Sequence, residues 1–165
     1  RASNNYGPFQ HTEKFIPKVI KNCLQRKKIP IYGNGLQIRD WLFVNDHASA
    51  IEKIIFNRKS IGNKFNISGN NQINNLNLAN TICKYLNLKV VVKPRNVSKF
   101  EDLIHFVDDR LGHDKKYFLD SKKILKTLKW SPKHDIKYGL EFTIDWYLNN
   151  IKWWRKKINN ISIID

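Results

Sequence analysis

No methionine occurs in the 165 residues, which argues against Arg1 as a translation start and leads us to expect a fragment of a longer gene product. Cysteine is scarce as well. Two thiols, Cys23 and Cys83, point to a reducing compartment rather than a disulfide-stapled scaffold. No apolar run approaches the roughly 18 residues of a membrane span and no signal peptide is visible, so no membrane partner and a cytoplasmic location are expected. Glycine is too thinly placed for a dinucleotide fingerprint: after Gly33 and Gly35 the third position is Ile38. Acidic residues are in deficit, 14 against 30 Lys+Arg for a net +16, a balance that ordinarily suggests a polyanionic partner. The excess is lysine (23, against 7 arginines), and asparagine (20) and isoleucine (21) are inflated with it, as AT-rich codons produce. No nucleic-acid partner is therefore expected, and a basic nucleic-acid-binding module stays as the alternative from another class. Asn-x-Ser matches at Asn66, Asn96 and Asn160 follow from the same bias.

What is present suffices for a core, with 41% hydrophobic residues and no linker, repeat or low-complexity block, so residues 1–165 read as one α/β unit. Arg1 to Pro8 is extended and enters a loop, because Pro8 disfavours helix at Gly7. From Thr12 or Glu13 to about Lys27 apolar residues at 15, 16, 19, 20, 23 and 24 predict an amphipathic helix. Cys23 falls on its apolar stripe and Cys83 on that of a helix running from Asn75 to about Leu86, so both thiols are expected to be buried. Strands are expected at Ile31–Tyr32, Trp41–Val44, Lys64–Ile67, Leu88–Lys93 and Tyr117–Leu119. Asp46 is a candidate N-cap for a helix carrying Ala48, Ile51 and Ile55 on one face. Asp120-Ser121 caps a short helix through Leu128, and a last helix runs from about Ile136 to Asn149 or beyond. Its Tyr138, Phe142, Trp146, Tyr147, Trp153 and Trp154 could form a base-stacking face, but their helical phase favours core packing.

Arg39 stands out chemically. It is a scarce arginine just past the Gly33-Asn34-Gly35 turn, where a planar fork suits bidentate phosphate recognition, and Asp40 is placed to orient it. The alternative is a surface hairpin with an ordinary Arg39–Asp40 ion pair. Arg110 and His113 offer donors to an anion, and Gly112 permits a tight bend. Asn75 can be read as a helix cap or as a ligand. Tyr85 and Lys89 satisfy the Tyr-x-x-x-Lys spacing of a proton-abstracting pair, but a helix end expected between them would take them off a common face.

Six blocks stand in order: RASNNYGP (1–8), EKFIP (13–17), PIYGNGLQIRDWLFVNDH (30–47), FNISG (65–69), DRLGHD (109–114) and Trp146-Tyr147. Together they closely resemble the dTDP-glucose 4,6-dehydratase family of NAD-dependent extended short-chain dehydrogenases/reductases. The resemblance covers only the C-terminal half of such an enzyme. It implies the substrate-binding part of a Rossmann-type α/β fold, incomplete without its N-terminal NAD-binding half. Within it, the positions of Asn4, Lys14 and Phe15 contact the sugar nucleotide. Pro30, Ile31 and Tyr32 line the base pocket, and Arg39, Asn75 and Arg110 hold ribose and phosphates. Asp109, Leu111, Gly112 and His113 complete the substrate loop, Leu111 replacing a usual proline and so loosening it. Asn5 is the one NAD contact. The family's Tyr/Lys pair, glycine-rich loop and Thr-Asp-Glu acid/base set lie upstream, so no catalytic residue and no metal ligand is expected in this chain. The implied partners are a dTDP-sugar and a second subunit of a homodimer. In the implied reaction NAD oxidises the sugar at C4, water leaves across C5 and C6, and the hydride returns to C6. A sibling nucleotide-sugar epimerase or decarboxylase is the alternative.

Overall fold

The computed structural model describes residues 1–90 and 97–159. In chain order the elements are β1 (Asn4–Tyr6), α1 (Phe15–Gln25), β2 (Ile29–Tyr32), β3 (Ile38–Phe43), α2 (Val44–Ile55), β4 (Gln72–Asn74), α3 (Asn75–Lys89), β5 (Ile104–Val107), β6 (Lys116–Tyr117), α4 (Lys122–Leu128), α5 (Ile136–Asn149) and α6 (Ile151–Asn159), with 3-10 turns at Arg58–Ser60 and Phe100–Leu103. β3 is the central strand. Its second half pairs in parallel with β1, Asn4 opposite Trp41 and Tyr6 opposite Phe43, while its first half takes β4 antiparallel and β6 parallel. β2 pairs separately, in parallel with β5.

The turn at Gly33–Gly35 thus passes the chain from one sheet to another, and the surface-hairpin reading fails. Both glycines sit at positive φ, 55° and 72°. A Cβ on Gly35 would lie 2.7 Å from Ile31 Cγ2 and 2.9 Å from Leu76 Cβ, so here the chain needs backbone without a side chain.

Strand alternation divides the interior. Trp41 and Phe43 enter a main core with Ile16, Val19, Ile20 and Cys23 of α1, Leu78, Ala79, Ile82, Cys83 and Leu86 of α3, and Leu140, Ile144 and Tyr147 of α5. Leu42 points the other way, joining Ala50, Phe65, Ile67, Ile124, Leu128 and Trp130. Both cysteines are buried free thiols with sulfurs 3.9 Å apart, and the Cys23 thiol is pushed up by its contact with Cys83 and by burial. α1 is shorter than its sequence pattern at both ends. It begins at Phe15 and closes at Arg26, which adopts the left-handed conformation while Lys27 N donates to Asn22 O at 2.9 Å.

Other expectations are corrected. Asp46 does not cap α2, which starts two residues earlier. It is buried and accepts from Lys133 N, His134 N and His134 Nδ1 at 3.1, 3.1 and 2.9 Å, tying the segment before α5 to the β3–α2 junction. The apolar face of α2 runs through Ala50 and Ile54, leaving Ile51 and Ile55 exposed. The cap of α3 is Asn74, whose side chain accepts from Asn77 N at 2.7 Å, so Asn75 is already helical. Lys64–Ile67 forms a single bridge, Ile67 to Ala2, in place of a strand. Leu88 and Lys89 belong to α3 and Val90 is its C-cap, donating its N–H to Leu86 O, while the rest of the strand expected there, 91–93, lies outside the described residues. Of the C-terminal aromatics, Tyr147 and Trp154 are core, whereas Tyr138 and Phe142 stack in a half-exposed row with His134.

Candidate functional site

The loop-to-helix and strand ends on one side of the main core enclose a cleft of about 390 Å³. β1 contributes Asn4, the approach to α1 gives Glu13 and Lys14, and the first turns of α1 add Phe15 and Lys18. On β2, alternation buries Ile29 and Ile31 and turns Pro30 and Tyr32 outward to the cleft. β3 presents Arg39 and Trp41 there, while Asp40 and Leu42 face the opposite way. Asn75 at the start of α3, with Arg110 and His113 from the loop after β5, closes the wall.

Alternation also settles the relation of Arg39 to Asp40. Asp40 is fully buried and accepts from Ser68 Oγ at 2.7 Å, Asn71 N at 2.9 Å and Gly69 N at 3.3 Å. It fastens the 68–71 loop to β3 and does not touch Arg39, whose Nη1 instead donates to Ile38 O at 2.8 Å.

The cleft is electropositive. Lys14, Lys18, Arg39 and Arg110 face one carboxylate, Glu13, which pairs with Lys14 at 3.1 Å and is held below the usual carboxylate range by it. The Arg110 guanidinium lies 4.1 Å above the Tyr32 ring, and it is the main reason that phenol sits below the ordinary tyrosine range, with Lys18 adding to the effect. Cations around flat apolar surfaces from Phe15, Tyr32 and Trp41 suit an anion attached to a planar or ring-shaped group.

Not every candidate reaches this cleft. Ile31 is buried in the core with its side chain turned away. Leu111 is fully exposed, and Gly112 has open space around it. Asp109 lies behind the wall, in an adjoining hollow with Gly33 and Gln37. There its carboxylate accepts from Gln37 Nε2 at 2.9 Å, Arg110 N at 2.8 Å and His113 Nδ1 at 2.6 Å. A Cβ on Gly33 would lie 2.8 Å from Asp109 Oδ2, so the glycine is what lets the loop close onto the turn. Asp109 therefore fastens the loop that carries Arg110 and His113. The contact with His113, more than any other, holds its carboxyl below the ordinary range.

Asn5 occupies the opposite face of β1 from Asn4. Its Oδ1 accepts from His47 Nδ1 at 2.7 Å and its Nδ2 donates to Ser3 O at 3.0 Å, which leaves one amide N–H to offer. Burial lowers the pKa of His47. Sequence reasoning missed His47, Lys18 and Trp41; Trp41 is two residues beyond Arg39 on a strand and Lys18 one turn beyond Lys14 on a helix, so period alone could have found both. Tyr85 and Lys89 do share α3, contrary to the expected helix end. Yet burial and Glu141 push the Tyr85 phenol up to about 12, and Lys89 is paired with Asp145 at 2.7 Å, the reverse of an activated pair. Among the described residues no cluster could hold a metal ion, and no helix is long and apolar enough to cross a membrane.

The α/β arrangement, with parallel strands beside the cleft, is that of the C-terminal part of a Rossmann-type extended short-chain dehydrogenase/reductase. The GDP-mannose 4,6 dehydratase family model matches residues 1–143, and the chain belongs to that family. It is 45% identical over 158 residues to the dTDP-glucose 4,6-dehydratase of Neisseria meningitidis, covering 96% of this chain and 44% of the relative. Among solved structures, the Bacillus anthracis dTDP-glucose 4,6-dehydratase in complex with NAD superposes with a TM-score of 0.80 at 38% identity, over 94% of this chain and 46% of that one. The Streptomyces venezuelae dTDP-glucose 4,6-dehydratase with NAD and dTDP bound gives 0.79 at 32%, over 93% and 44%. The chain thus spans less than half the length of the relatives it matches.

Proposed function

We propose that this chain is the nucleotide-sugar-binding portion of a dTDP-glucose 4,6-dehydratase, holding the nucleoside diphosphate of dTDP-glucose for conversion to the 4-dehydro-6-deoxy sugar. The observation that carries the reading is the convergence of Asn4, Lys14, Phe15, Pro30, Tyr32, Arg39, Asn75, Arg110 and His113 on one electropositive cleft. These residues are scattered from 4 to 113 in sequence. Anchoring the nonreacting nucleotide would position the sugar for chemistry performed elsewhere in the whole protein. NAD, bound, supplies the hydride acceptor and donor; this chain offers it Asn5, held in one orientation by His47. With Tyr85 and Lys89 excluded as a proton-transfer pair, the chain by itself is expected to be inactive.

Calorimetric titration with dTDP tests the reading. Arg39→Lys keeps the charge but loses a planar fork. The expected cost is about 1.5–3 kcal/mol of a charge-assisted contact, or roughly ten- to a hundredfold in affinity. Equal dissociation constants would remove Arg39 from the site, and no binding by the wild type would refute the reading.

A further inference from the structure

The cleft contains one cation to which the family resemblance gives no role. Lys18 is half-buried, one turn beyond Lys14 on α1, and lines the same wall as Tyr32 and Arg110. Its fellow cations are engaged: Lys14 with Glu13 at 3.1 Å, Arg39 with Ile38 O at 2.8 Å, Arg110 over the Tyr32 ring at 4.1 Å. Among the described residues Lys18 has no carboxylate within ion-pair distance. Its field reaches both neighbours, contributing to the lowered Tyr32 phenol and, behind burial, to the lowered Lys21 ammonium. A partly desolvated ammonium among other cations is unfavourable until an anion joins it.

We propose that Lys18 is a further ligand of the diphosphate, approaching from α1 while Arg110 approaches across Tyr32, so that one phosphoryl group is gripped from two sides. The proposal rests on the nucleotide-binding reading. It adds a contact that scales with phosphate charge, so dTDP gains more from Lys18 than dTMP does.

Titrations of the wild type, Lys18→Met and Lys18→Arg with dTDP and with dTMP, each paired with a thermal melt, test this. Lys18→Met should weaken dTDP binding about tenfold and dTMP binding less, with the melting temperature unchanged, and Lys18→Arg should retain most of the affinity. Raising the salt concentration should narrow the difference between wild type and Lys18→Met. Equal dTDP affinities for wild type and Lys18→Met would overturn the Lys18 assignment and leave the nucleotide reading standing. Losses that are equal for dTDP and dTMP and accompanied by a lower melting temperature would overturn it as well, marking Lys18 as structural. A wild type that binds neither nucleotide would overturn both.

Discussion

Replacing Asp40 by alanine should be one of the most destabilising single changes available outside the apolar core. Its buried carboxylate serves three donors. Ser68 Oγ retains a partner after truncation, since Asn70 Oδ1 lies 3.1 Å away. The Gly69 and Asn71 amides are left without that acceptor beside β3. A buried donor left unpaired costs about 1–3 kcal/mol. The 3.3 Å contact from Gly69 belongs at the low end and the 2.9 Å contact from Asn71 higher. Relief of carboxylate desolvation offsets part of this, giving a net loss of about 2–4 kcal/mol. The loop cannot easily slide to find new partners, because Gly69 is packed so tightly that a Cβ there would sit 1.9 Å from Trp41 O. At about 2–4 °C per kcal/mol for a chain of this size, the melting temperature should fall by roughly 5–15 °C. Urea denaturation with an unchanged slope is the cleaner measurement, with Ser68→Ala as reference at about 1 kcal/mol. An Asp40→Ala protein no less stable than Ser68→Ala would refute the claim that the carboxylate fastens this loop. It would also reopen the question of what Asp40 does beside Arg39.

Asp109→Asn should weaken dTDP binding about three- to tenfold while leaving the melt unchanged, because the amide cannot accept from Gln37, Arg110 and His113 together and the loop carrying Arg110 loosens. The folded-state pKa of Asp109 is depressed, so this anchorage is fully present above the ordinary carboxylate range and is lost only as pH falls through the lowered value. A dTDP affinity measured by titration that already collapses near pH 5 would assign the loss to some other group. The chain alone, supplied with NAD and dTDP-glucose, should form no 4-keto-6-deoxy sugar, and detection of that product by mass spectrometry would show that acid/base groups are present after all.

Local signals carried most of the fold. The apolar phase of α1 and α3 located both helices and both cysteines, since a long amphipathic stripe admits few other arrangements. The errors fell where tertiary contacts outweighed local chemistry. Asp46 looks like a cap because aspartate favours helix starts, but the backbone before α5 lies against it and claims the carboxylate. Asn74 and Asn75 are equivalent by composition, and only the backbone at Asn74, extended at ψ 157°, decides which one caps. Asp40 follows Arg39 in sequence, but consecutive strand residues point to opposite faces, so adjacency was the wrong clue to partnership. The cleft was legible mainly through family resemblance. Spacing alone singled out Arg39, Arg110 and His113, whereas Pro30, Tyr32 and Asn4 acquire meaning only once β1, β2 and β3 are side by side.

The parallel pairing of β2 with β5 also governs when the cleft can exist during folding. The two strands lie nearly half the chain apart in sequence, with Tyr32 at the end of β2 and Arg110 just beyond the end of β5. Loop-closure entropy must be overcome before that ladder returns any free energy, so the cleft matures late, after α1 and α3 have formed locally. A nucleotide that recognises only the finished cleft has nothing to hold in earlier states. It would leave the folding rate almost untouched and slow unfolding, adding about 2.7 kcal/mol at a hundredfold excess over its dissociation constant. Ligand saturation would in that way lengthen the lifetime of the native state without helping the chain to reach it.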